Sequence, residues 1–127
     1  MGATDFNDLS AGRDAVEAFN NAIREARYEH GHGGYSGTIA EKHGFTVVKA
    51  IPRISSAKLA DMIAGDVEPT TQATKDAVRR FSDAYEDKWG PALCIELAGK
   101  ELANAKLAMG LKGTRKKVFC FFGIASS

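Results

Sequence analysis

Most of the features by which a chain of this size announces an activity are missing here. Only two of the 127 residues are cysteine, three are proline and one is tryptophan. A disulfide framework and a proline-rich linker are therefore not expected to organise the molecule. Charge of one sign is also lacking. Seventeen Lys and Arg stand against 16 Asp and Glu, for a formal net charge of +1, without the basic excess of a typical nucleic-acid or acidic-membrane binder. No window approaches the ~18 apolar residues of a membrane span. The opening "MGATDFNDLS" has neither the basic nor the apolar region of a signal peptide, and Phe6 stands where a myristoylation signal needs Ser or Thr. A soluble, cytoplasmic protein is the expectation. Walker A and dinucleotide fingerprints, CxxC pairs, internal repeats and low-complexity tracts are absent from the sequence as well.

What remains is the composition of an ordinary globular protein, 44% apolar and 26% charged, so one domain over residues 1–127 is expected, with residues 1–9 a flexible or extended arm. Ala15, Val16, Phe19, Ala22, Ile23 and Ala26 recur at helical spacing and predict a first helix from about Ser10 to His30. Ser10 or Asp8 would cap its start and Gly31 would end it. "YSGTIA" and "FTVVKAI" are β-rich runs around "EKHG" and predict a hairpin. "AKLADMIA" after Ser55 or Ser56 predicts a short helix stopped at Gly65. The stripe Ala73, Ala77, Val78, Phe81, Ala84, Tyr85 predicts a longer one, with Pro69 near its start and Gly90-Pro91 as its stop. "ALCIEL" and "KVFCFFGI" read as strands, the second apolar on both faces and so central, and Lys100 to Met109 reads as a further helix. The expected fold class is α+β: one mixed or antiparallel sheet of about four strands, with one local hairpin, packed with three to four helices.

The segment "HGHGGYSGT" between the first helix and the hairpin invites three readings. As an anion nest it would offer amides among Gly31, Gly33 and Gly34, with Lys42, Lys49 or Arg53 supplying charge, although the C-terminus of a helix is the wrong end for an anion. As a metal site it would need His30, His32 and His43 at one point, in a spacing that matches no established motif. As architecture, Gly31 ends the helix, Gly33 and Gly34 turn the chain, and Gly37 permits a close approach. The residues nominated for ligand contact are His32, Gly33, Gly34, Tyr35, Ser36 and Thr38, with Lys42 and Arg53 as charge partners. No catalytic set, cofactor or bound metal is nominated, and an enzyme is the less favoured class.

Other residues carry weaker signals. Cys94 and Cys120 lie in apolar runs and read as packed, inert thiols. Tyr85 and Trp89 read as core, and "KGTRKK" as a solvated loop rather than a nucleic-acid footprint. Glu96 is either an exposed face or an inward carboxylate that needs a partner. The strings "HGGYSGTIAEK", "KWGPALCIEL" and "FCFFGIASS" resemble a group of small bacteriophage- and prophage-encoded proteins without an established activity, over most of the chain. Ile124 departs from the Trp more often found in that group. The resemblance implies an accessory protein working in the cytoplasm of a bacterial host, by binding a host protein or a small signalling molecule. The leading expectation is thus non-enzymatic binding of a small polar or anionic ligand at the glycine-rich turn. The alternatives are a homo-oligomeric interaction module with an exposed sheet edge or helix face, and a metal-dependent hydrolase built on His30, His32 and His43.

Overall fold

The computed structural model describes residues 2–127. Its centre is β4, Lys117–Ser126, the most apolar segment of the chain. Because side chains alternate across a strand, "VFCFFGI" supplies two cores at once. Phe119 and Phe121 face one side with Ala92 and Cys94 of β3, Ala92–Glu96. Val118, Cys120 and Phe122 face the other with Leu93 and Ile95. Two further strands complete a mixed sheet in the order β1-β4-β3-β2, with β1 (Ala3–Gly12) and β3 antiparallel to β4, and β2 (Phe45–Val47) parallel to β3. The α+β class with a mixed four-stranded sheet is as expected.

The first face is covered by α1, Ala15–His30, whose alanine stripe (Ala18, Ala22, Ala26) brings the helix close to the sheet around Phe19. Phe19, Phe45 and Phe121 form a ring cluster with centroids 5.2 to 5.7 Å apart. The buried rings of Phe19 and Phe121 contribute about 1.5–3 kcal/mol each. The second face is covered by α2 (Ser56–Ala64), α3 (Gln72–Glu86) and α4 (Gly99–Ala108). Ser55 caps α2 and Gly65 ends it in the left-handed region, as the sequence predicts. A reciprocal Thr71–Thr74 capping box opens α3. No helix among the described residues is long and apolar enough to cross a membrane.

Four expectations are corrected. The described part of residues 1–9 is no arm: Ala3 to Gly12 form a 10-residue strand in continuous register with β4, from Ala3 opposite Ser126 to Gly12 opposite Lys117. Consequently neither Ser10 nor Asp8 caps α1. Asp14 does, accepting from the Glu17 amide at 2.8 Å, while Ser10 donates across to the Ala18 carbonyl at 2.7 Å. The hairpin does not form either. Ser36 to Glu41 fold on themselves through side-chain hydrogen bonds into a single 3-10 turn, Ile39–Glu41, and only Phe45–Val47 joins the sheet, beside β3 rather than beside "YSGTIA". Finally, Trp89 is 62% exposed with the Lys88 ammonium over its ring, whereas Tyr85 packs in the core 6.1 Å from Phe122. Glu96, at the end of β3, is exposed.

Candidate functional site

The glycine-rich turn follows α1 at one end of the sheet. Gly31 ends the helix at φ +80°, its amide bonded to the Arg27 carbonyl, and the chain then turns through Gly34 at φ +75° and Tyr35 at φ +51°. His32, Gly33, Gly34 and Tyr35 are all exposed. The next residues are committed to the protein itself. The Ser36 amide and hydroxyl both donate to Glu41 Oε2, at 3.1 and 2.8 Å, and Thr38 Oγ1 sits 2.7 Å from the Ser36 hydroxyl and accepts from the Ala40 amide. Burial works to raise the Glu41 carboxyl, but the Ser36 hydroxyl and amide, the Tyr35 amide and Arg27 together hold it below its usual range. Gly37 donates to the Ser126 carbonyl, and a Cβ there would lie 2.9 Å from Thr4 Cβ.

The two nominated charge partners do not converge on this turn. Lys42 is buried, 4% exposed, and its ammonium donates to the carbonyls of Asp87, Lys88 and Gly90 at 3.2, 3.3 and 3.0 Å. Burial lowers its pKa, against the pull of Asp87. It ties the chain leaving α3 to the first face of the sheet and has no donor to spare for an anion. Arg53 is exposed, at φ +71°, in the connection from β2 to α2. That connection lines a groove with Glu96, Ala98 and Gly99 at the far end of β3, whereas the turn bonds to Ser126, at the other end of the sheet. There the N-terminus of α2 already holds an anion from within the chain: Glu101 of α4 accepts from the Ser56 amide and hydroxyl, each at 2.8 Å, and from the Ala57 amide at 3.2 Å.

The histidines are not gathered into a metal site. No group of three or more His, Cys, Asp or Glu among the described residues is placed to hold a metal ion. His30 lies instead 3.8 Å from Glu29, and His43 stands beyond the 3-10 turn, on the way into β2.

A different constellation lies beside the turn. A cleft of about 170 Å³ between α1 and β1 is lined by Asp8, Leu9, Glu25, Glu29, His30 and Thr38, with Ala22 and Ala26 at its base. Burial first, then the charges of Glu25 and Glu29, raise the Asp8 carboxyl above its ordinary value, with His30 opposing. Among the described residues no ion pair engages Asp8 or Glu25. No family model, no curated protein and no solved structure matches this chain.

The outer edge of β1 runs along the same cleft. Gly2 and Ser127 exchange both backbone hydrogen bonds. In an antiparallel ladder such bonded pairs recur every second residue, so Thr4, Phe6, Asp8 and Ser10 bond to β4 while the amides and carbonyls of Ala3, Asp5, Asn7 and Leu9 point outward. The Ala11 carbonyl, at the end of this row, is taken by the Asn21 side chain at 3.0 Å. Sequence reasoning missed Asp8, Glu25 and Glu29 because residues 1–9 read as an arm. The available signals were the Glu25–Glu29 spacing of one helical turn and the alternation of Phe6 and Ser10 inward against Asn7 and Leu9.

Proposed function

We propose that this protein is a non-enzymatic interaction module whose working surface is the outer edge of β1. The observation that carries this reading is an edge strand of 10 residues without proline or lysine, whose only charges, Asp5 and Asp8, discourage pairing with acidic or like segments and leave the edge open to others. An outward row of free donors and acceptors recognises any extended chain through main-chain hydrogen bonds, with flanking side chains setting preference. Gly31, Gly34 and Gly37 then have architectural roles, and the buried Lys42 is a structural tie. The resemblance to phage and prophage proteins suggests the bacterial cytoplasm as the setting and a host protein, or a second copy of this chain, as the source of the partner segment. The test is a scan of immobilised extended peptides against the wild-type protein and Leu9→Pro, which removes one outward amide without touching a bond to β4. Binding lost in Leu9→Pro supports the edge; equal binding by both proteins rejects it.

One observation favours a second reading, a small polar ligand at the turn. His32, Gly33, Gly34 and Tyr35 are open to solvent and Tyr35, which bears a side chain, is held at φ +51°, a conformation that costs about 1–2 kcal/mol. The carbonyls ending α1 and the nearby Glu25 and Glu29 disfavour an anion there, so a neutral or cationic ligand suits the turn better. A rise in Tm that scales with ligand concentration would support this reading.

A further inference from the structure

An open strand edge alone accepts many segments, but this one lies beside a cleft in which three carboxylates outnumber a single histidine. We propose that β1 receives an extended peptide bearing a lysine or arginine, which adds as a fifth strand and places its cationic side chain in the cleft between β1 and α1. The proposal rests on the edge-strand reading above and names the chemistry of the partner.

Three features carry it. First, the outward groups of Asp5, Asn7 and Leu9 recur every second residue on the side of β1 away from β4. A strand bonded there would run about 4.8 Å outside β1, with alternate side chains on the α1 side and hence over the cleft. Second, the cleft is lined by Asp8, Glu25 and Glu29 against His30 alone, and no cation of this chain pairs with Asp8 or Glu25 among the described residues. Burial first, and then the Glu25 and Glu29 charges, raise Asp8, and a cation entering there would relieve the second of these. Third, the size fits a side chain. At about 170 Å³ the cleft is smaller than the roughly 300–1,000 Å³ of a site for a whole small molecule.

A metal ion is a poorer occupant, since the carboxylates do not gather as ligands around one point. A second copy pairing β1 with β1 is also poorer. The segment "ATDFNDLSAG" holds Asp5 and Asp8 and no cation, so such a dimer would bring like charges together along the new ladder.

The test uses the full chain and fluorescently labelled peptides of about seven residues, alternating Thr and Val, with Arg, Gln or Glu at the centre. Two further versions of the Arg peptide carry N-methyl groups on alternate residues, one for each edge. The Arg peptide is expected to bind about tenfold more tightly than the Gln peptide and to lose about tenfold in Asp8→Asn/Glu25→Gln; N-methylation of the pairing edge is expected to abolish binding. Equal affinity for Arg, Gln and Glu peptides would overturn the cationic partner while leaving the edge reading intact. Binding indifferent to N-methylation on either edge would overturn strand addition and the edge reading together. No binding of any peptide at millimolar concentration would do the same. Sedimentation of the protein alone is expected to show a monomer, and a dimer lost in Leu9→Pro would make a second copy the occupant and sink the proposal.

Discussion

Two glycines with almost the same backbone conformation separate what space and φ each demand. Gly34 and Gly37 lie at φ +75° and +70°, but a Cβ at Gly34 would meet nothing within 4 Å, whereas at Gly37 it would strike the Thr4 side chain at 2.9 Å. Gly34→Ala is expected to cost only the left-handed penalty of about 1–2 kcal/mol, and Gly37→Ala at least about 1 kcal/mol more for overpacking. Denaturant midpoints of the two variants measure the difference, and equal losses would contradict the close contact. Asp8 makes a separate prediction, about pH. Asp8 is exposed, but partial burial against α1, then the charges of Glu25 and Glu29, with His30 opposing, raise its carboxyl above 3.8. Over the window that begins at 3.8 the native state therefore retains a proton that the unfolded chain has released, and stability falls as pH rises through it. Asp8→Asn should remove that fall, making the protein more stable than wild type at pH 7 and no different at pH 3. Unfolding curves at the two values decide it, and a variant less stable at pH 7 would reverse the sign assigned here.

Between elements, the contact that stands out is Glu101 of α4 capping the first turn of α2. Its carboxylate accepts from the Ser56 amide and hydroxyl and from the Ala57 amide. It joins two helices on the same face of the sheet while neutralising the positive end of one. Glu101→Ala should cost about 2 kcal/mol, in the range of hydrogen bonds to a charged group. The loss should not add to that of Ser56→Ala, because both act on one network. A double-mutant cycle in urea gives the coupling, and strict additivity would remove the network. Sequence periodicity predicts α2 nearly to the residue, since its stripe and caps are local, and α3 by its stripe, although α3 starts at Gln72 rather than near Pro69 and ends at Glu86, short of Gly90-Pro91. Glu101, 45 residues from Ser56, announces nothing in the sequence, because a cap supplied by another helix depends on how the two pack.

For the molecule as a whole, both thiols are sealed inside the two cores. Cys94 belongs to the α1 face and Cys120 to the opposite one, so the sheet itself lies between them and no disulfide is present. Burial pushes each thiol up to about 12. At pH 8 neither should react with a thiol reagent in the native protein and both should react on unfolding, and a rapidly labelled native thiol would reveal an opening of the sheet. The sequence by itself determined the α+β class, the central place of β4, the three helices with apolar stripes, and the burial of the cysteines, because each follows from local periodicity and apolar content. Only tertiary structure decided the rest. "TDFNDLSAG" is too polar to read as a strand until β4 lies beside it. Lys42 reads as a surface charge until three carbonyls from the end of α3 surround it. The acidic cleft exists only because β1, 10 residues long, and α1 are brought together on one edge of the sheet, and pairing between distant segments leaves no periodic trace in either of them.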